Sequence, residues 1–300
     1  MTTRTVIITG ANTGLGLECA RSLLAQDASW QVVLAVRNPE LGAAAVAELA
    51  APDRCTVIRC DLASLDSVRE FVEAFGAADL PPLHAIVCNA GLQSLDGRST
   101  DDGIEMTFGV NHLGHFALVT GLLDRLVAPA RIVVVASGTH DPAKFTGMPH
   151  PIYTSAEELA HPPADTPGQG RRRYTTSKLC NVLFAYELDR RLGQGAEGIC
   201  VTAFDPGLMP ASGLSREYSP VQRIIWRFVG PVLRVLPNVN STATSGERLA
   251  ALVADPKFDG LTGRYFEGAK EIRSSQDSYD LAKATDLWET SERLVQRITT

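Results

Sequence analysis

The chain has 300 residues, 45% of them hydrophobic and 21% charged, with a formal net charge of −6. That length suits one large domain or two small ones, and the composition is that of a soluble globular protein with a substantial core. The acidic balance, without a basic tail, argues against nucleic acid as a partner.

No apolar run reaches the roughly 18 residues of a membrane-spanning helix. Met1-Thr2-Thr3-Arg4 leads straight into a strand-like run with no signal-peptide n-region. The six cysteines, Cys19, Cys55, Cys60, Cys88, Cys180 and Cys200, form no C-x-x-C pair and mostly sit in apolar runs. Reduced, buried thiols and a cytoplasmic location are expected.

Residues 5–9 read as a buried strand and 15–26 as a helix. Thr9-Gly10-Ala11-Asn12-Thr13-Gly14-Leu15-Gly16 joins them. Gly10 permits a tight turn there, while Gly14 and Gly16 let the backbone approach a pyrophosphate at the helix N-terminus. Placement directly after a strand favours dinucleotide binding by Gly10, Asn12, Thr13, Gly14, Leu15 and Gly16 over an ordinary βα loop. Residues 31–36 form a second strand, and Pro39 opens a helix that ends near Ala50. An acid at the end of that strand would accept the adenosine ribose hydroxyls of NAD, but this chain has Arg37 and Asn38. A guanidinium matches a 2′-phosphate, so NADPH is the expected cofactor, although an arginine at a strand end is often simply solvated.

A third strand is expected at 55–59 and a third helix at 64–75. Between them, Asp61-Leu62 fits an adenine contact and a helix cap equally well. After a fourth strand at 84–88, Asn89-Ala90-Gly91 is small enough to pass beside a nicotinamide ribose, or is a plain turn. Helices at about 103–110 and 114–127 follow, with Asn111 between them. His112 and His115 invite a metal reading, but no third ligand has suggestive spacing, and a polar or packing role is expected. Residues 131–136 form a fifth strand ending at Ser137, whose hydroxyl can bond a substrate carbonyl or cap the strand end. Residues 139–173, rich in Pro, Gly, His and charge, read as an irregular excursion. A long helix at 174–192 and a sixth strand at 199–204 lead to the turn Asp205-Pro206-Gly207. Residues 208–240 are expected to form a substrate lid; its apolar, basic stretch at 219–237 also fits a packing helix or a helix lying on a membrane surface.

Tyr174 and Lys178 stand four apart and so share a helix face. An ammonium beside a phenol lowers its pKa from about 10 toward neutrality, making it a usable acid or base. No G-x-S-x-G, H-E-x-x-H or P-loop pattern occurs, which removes hydrolase, zincin and P-loop readings. Apolar strands alternating with helices predict a single α/β domain over 1–300, a Rossmann-like, doubly wound parallel sheet.

Together, Thr9 to Gly16, Asn89-Ala90-Gly91, Asn111, Ser137, Tyr174 with Lys178, and Pro206-Gly207 resemble the short-chain dehydrogenase/reductase superfamily over nearly the whole chain. Residues 35–38, 110–116 and 177–181 are similar to the branch that holds retinol dehydrogenases and light-dependent protochlorophyllide reductases, and 243–258 and 287–292 look more like the latter. The resemblance implies NADPH-dependent hydride transfer to or from a hydrophobic carbonyl or alcohol. Ser137 would hold the carbonyl oxygen and Tyr174 would protonate it. Lys178 would bind the nicotinamide ribose, and Asn111 would link Lys178 to solvent through a helix kink and a water. Pro206 and Gly207 would lie beneath the nicotinamide, and the helices near 114–127 and 174–192 could form a homodimer common in the superfamily. There are departures: protochlorophyllide enzymes tend to carry threonine in place of Ser137 and a longer excursion, and the threonine usual after Pro206-Gly207 is missing. Two alternatives stay open: light-driven reduction of a tetrapyrrole ring C=C bond, and a non-catalytic NADP(H)-binding redox sensor.

Overall fold

A computed structural model of the chain describes residues 3–163, 169–193, 198–209 and 240–299. Its strands are β1 (Arg4–Thr9), β2 (Trp30–Val36), β3 (Cys55–Arg59), β4 (Leu83–Cys88), β5 (Leu126–Val135), β6 (Ile199–Asp205), β7 (Arg264–Glu267) and β8 (Lys270–Ile272). They form one sheet in the order β3-β2-β1-β4-β5-β6-β7-β8, parallel except for the final antiparallel pair. The order reverses between β1 and β4, so a crevice opens there at the carboxyl edge.

The helices are α1 (Gly14–Gln26), α2 (Pro39–Leu49), α3 (Leu65–Ala77), α4 (Met106–Phe108), α5 (Gly114–Leu122), α6 (Ala156–Ala160), α7 (Gly170–Arg191), α8 (Thr242–Ala254) and α9 (Leu281–Thr299). Successive strand residues point to opposite faces. Val6, Ile8, Val32 and Leu34 pack with α1, α2 and α8, while Ile7, Val33, Ile86 and Ile132 pack with α3, α5 and α7. Covering both faces is what makes these strands read as unbroken apolar runs.

Local chemistry sets the element starts. Asn38 Oδ1 accepts Leu41 N–H at 3.0 Å and caps α2, with Pro39 at its first position. Ser64, not Asp61, caps α3; Asp61 instead accepts Ala63 N–H at 3.0 Å in a turn of its own. The helix expected at 103–110 is reduced to α4 and followed by a π turn, Gly109–Leu113. The helix expected to 127 stops at Leu122, because Leu126 already pairs with Leu83 in the sheet and Pro129 disfavours a helical residue before it. The excursion at 139–173 is more regular than expected. It holds a 3₁₀ turn (Gly138–His140) and α6, and α7 begins four residues before Tyr174. Asp286 pins it, accepting Tyr153 O–H at 2.7 Å and Ala156 N–H at 2.8 Å.

Sequence reading assigned no element to β7, β8, α8 or α9. α9 lies across α5 and α7: the Trp288 ring is 4.9 Å from that of Phe116 and 6.1 Å from that of Phe184, and Ser291 Oγ meets His112 Nε2 at 2.9 Å. Those helices are the ones expected to meet in a homodimer. Of the expected lid, residues 210–239 lie outside the described residues, including all of 219–237. Among the described residues no helix is long and apolar enough to cross a membrane.

Candidate active site

The candidate site begins where β1 stops. Gly10 and Gly14 take φ values of +64° and +60°, a region that glycine enters without strain. Thr13 is the N-cap of α1, extended and without a side-chain cap bond, and no acid lies in the first helical turn. Free N–H groups and the dipole's positive end therefore face an incoming anion. A Cβ on Gly14 would meet nothing within 4 Å, whereas one on Gly16 would come within 2.6 Å of Asn89 Nδ2 and 2.8 Å of the Gly10 carbonyl. Gly16 thus serves the packing of the loop itself. Asn12 is half-buried beside it and Leu15 is buried.

The Thr9 hydroxyl organises the next turn. It accepts N–H bonds from Asn89 and Ala90, each at 2.9 Å, and lies 2.8 Å from His115 Nε2. Asn89 Nδ2 returns a bond to the Thr9 carbonyl at 2.7 Å. His115 Nδ1 lies 3.1 Å from the Asn111 carbonyl, so Nδ1 carries the proton and Nε2 accepts from Thr9. Burial holds this histidine neutral and pushes its pKa down to about 4. His112, likewise buried, falls to about 3. Among the described residues no group of three His, Cys, Asp or Glu side chains could hold a metal.

Arg37 and Asn38 are exposed after β2, and Asp61 and Leu62 follow β3, whose Arg59 is paired with Val36. These four therefore share the β2–β3 edge of the sheet, away from the catalytic candidates. Asn38 spends its carbonyl oxygen on the α2 cap, which leaves its amide donors.

The catalytic candidates converge on Lys178. Its Nζ donates to the Val135 carbonyl at 3.2 Å, as does Asn181 Nδ2 at 2.9 Å. It sits 5.6 Å from the Tyr174 ring centre, and a Cβ on Gly91 would lie 3.5 Å from it. The end of β5, the turn after β4 and one face of α7 therefore meet at this ammonium. Desolvation lowers its pKa to about 8, opposed by the negative charge of Asp205. Tyr174 is buried one helical turn earlier. Asn111 lies within the π turn; its Oδ1 accepts Leu92 N–H at 2.8 Å, and its Nδ2 donates to the Leu92 carbonyl at 2.9 Å and to Ser177 Oγ at 2.9 Å. A π turn stands where a helix kink was expected, and this side chain clamps the loop after β4 to α7.

Ser137 stands two residues past Val135. Its Oγ accepts Thr139 N–H at 3.3 Å, which leaves the hydroxyl proton to donate elsewhere. Pro206 is buried; its carbonyl accepts from Ser245 Oγ at 2.8 Å and Asn240 Nδ2 at 3.1 Å, and Gly207 N–H donates to Asp205 at 2.9 Å. Sequence reasoning missed the organising roles of Thr9 and His115 and the contacts of His140 and Asp205. The available signal was a polar residue ending an apolar strand, as Thr9 and Asp205 do.

The short chain dehydrogenase family profile matches residues 4–156. The chain is 38% identical to a WW domain-containing oxidoreductase of Danio rerio, covering 99% of this chain and 69% of that protein. It is 37% identical to a protochlorophyllide reductase of Avena sativa, covering 97% of this chain and 99% of that enzyme. Among solved structures, an uncharacterised protein of Mycobacterium paratuberculosis superposes with a TM-score of 0.72 at 28% identity, over 98% of this chain and 94% of its own. A blue fluorescent protein from a metagenomic library, solved with NADPH, shares the fold with a TM-score of 0.66 at 22% identity, over 89% of this chain and 98% of its own.

Proposed function

The chain belongs to the short-chain dehydrogenase family, and on that premise we propose that it is an NADPH-dependent reductase of hydrophobic carbonyl compounds, or the reverse alcohol dehydrogenase. The observation that carries the reading is the seat of Lys178, buried between the Val135 carbonyl, the Gly91 turn and Tyr174.

The residues fit a nicotinamide dinucleotide. The glycine turn and the uncapped start of α1 suit a pyrophosphate, and exposed Arg37 suits a 2′-phosphate where an acid would have suited NAD. Asn38, Asp61 and Leu62 would flank the adenosine, and Asn89, Ala90, Gly91, Tyr174, Lys178, Pro206 and Gly207 the nicotinamide riboside. When bound, the cofactor supplies the hydride. Ser137 donates a hydrogen bond to the substrate oxygen, and Tyr174 delivers the proton to it. Lys178 stabilises the resulting phenolate through space and holds the ribose hydroxyls. Asn111 positions α7 by clamping Ser177, and a water at the π turn would connect Lys178 to solvent. Much of the rate would come from this fixed geometry. Fully exposed Phe145 and exposed Leu208, each near a turn at the carboxyl edge, favour an apolar substrate.

A second reading is favoured by the similarity to the Avena sativa enzyme over almost its whole length: light-dependent reduction of a ring C=C bond in a tetrapyrrole. NADPH consumption is measured in the dark with a panel of apolar aldehydes and ketones, for wild type and Tyr174→Phe. Turnover that vanishes in the variant supports the first reading, and turnover retained there would sink the role given to Tyr174. No dark turnover, with conversion of protochlorophyllide under illumination, replaces the first reading with the second.

A further inference from the structure

Behind the Ser137 turn lies a buried acid that the reaction above leaves unused. Asp205 ends β6 and is 2% exposed. Its Oδ1 accepts Gly207 N–H at 2.9 Å and its Oδ2 accepts Tyr265 O–H at 3.1 Å. Lys144 Nζ stands 4.0 Å from Oδ2 and donates to Glu267 at 2.7 Å, the residue that pairs with Asp205 across β7. Both oxygens accept hydrogen bonds and Lys144 stands near, which favours the carboxylate; burial, the larger effect, and the charge of Glu267 oppose it and raise the pKa above that of a free aspartate.

The same Oδ2 closes on the turn that carries Ser137. A Cβ on Gly138 would lie 2.9 Å from it, so any side chain added there would press on this carboxyl group. His140 braces the other side of the turn. Its Nδ1–H donates to the Ser137 carbonyl at 2.7 Å, its Nε2 accepts Ser275 N–H at 3.1 Å, and its ring lies 5.0 Å from that of Tyr265.

We propose that Asp205 is a positioning residue, a buried carboxylate that locks the turn carrying Ser137 against the turn carrying Gly207 and stands as the countercharge to Lys178. Its kinetic consequence, though not its contacts, rests on the roles given above to Ser137, Tyr174 and Lys178. The charged and titratable groups facing Asp205 are Lys144 and His140 from the segment after β5, Tyr265 and Glu267 from β7, and Lys178 from α7. Those facing Lys178 are Asp205, Tyr174 and His115. Val135, whose carbonyl accepts from the Lys178 ammonium, pairs with Phe204 beside Asp205, so removing the charge at 205 withdraws a countercharge and Lys178 should lose its proton at lower pH. The turn also loses its backstop, and Lys144 is left to Glu267.

The test is Asp205→Asn in the full chain, a change of charge with little change of shape. NADPH affinity should stay within about twofold, kcat should fall by about tenfold, and the basic limb of kcat/KM should move down by about half a pH unit or more. A soluble variant with kcat and the basic limb both unchanged overturns the proposal. Should the asparagine variant not fold, Gly138→Ala presses on the same carboxylate and is read by the same two quantities. Absence of turnover in the wild type retires the reductase reading instead. In that case amide hydrogen exchange over residues 137–144 decides: faster exchange in Asp205→Asn supports the lock, and equal rates overturn it.

Discussion

At the ends of β2 and β3 the site offers exposed Arg37 and Asn38 and half-buried Asp61, whereas at the ends of β4, β5 and β6 it offers Asn111, Lys178, His140 and Asp205, all buried. Within the first group, among the described residues, the side chains of Asn38 and Asp61 bond only to nearby backbone, at Leu41 and Ala63. The second is joined through shared atoms: Val135 O serves Lys178 and Asn181, Asn111 serves Leu92 and Ser177, and Asp205 serves two turns and a lysine. Exposed ions gain little from partners in water and can be exchanged freely. Buried polar groups stand or fall as a network. Cofactor choice and catalysis should therefore differ sharply in how they tolerate change.

The sharpest contrast is expected from Tyr174→Phe, which should lower kcat by about 10²–10⁴-fold while NADPH affinity, read by fluorescence titration, barely moves. Next, Arg37→Glu should weaken NADPH by about tenfold or more, the worth of a charge-assisted contact to phosphate, and spare NADH. Its melting temperature should match the wild type; a large drop would break the contrast by showing that the adenosine end is structural too.

A smaller effect lies in pH. Folding depresses Lys178 from 10.5 to about 8, so the folded state disfavours its charge. That penalty is complete below about pH 8 and is relieved as pH rises from there toward 10.5. The contribution of this group to stability should thus grow over that window, and denaturant titrations of Lys178→Met should lack the rise. Catalysis that needs the ammonium runs the other way, with kcat/KM falling above about pH 8. The smallest change should come from Asn38→Ala, which removes the α2 cap and about 1 kcal/mol of stability, read by chemical denaturation.

Five of the first six strands were legible as apolar runs buried in the sheet, and β3, half-buried at its edge, by its β-branched Thr56, Val57 and Ile58; the glycine turn, Ser137 and Tyr174 with Lys178 were legible because their spacing carries chemistry. What was hidden depended on distant partners. The early end of the helix before Leu126 reflects pairing with Leu83, and the π turn at Asn111 cannot be told from an α-helix by periodicity. His140 gave no signal because its partner, Ser275, lies far along the chain, and its bond joins segments that no local pattern connects. β7 and β8 were missed because strands of four and three residues are too short for a period to register.

α9 carries one more consequence. Trp288 packs on Phe116 of α5 and Phe184 of α7, and Ser291 meets His112 of the π turn, so this part of the chain's own sequence covers those helices. If α9 takes the place of a second subunit, the midpoint of unfolding should be the same at micromolar and nanomolar protein, whereas an obligate pair loosens on dilution.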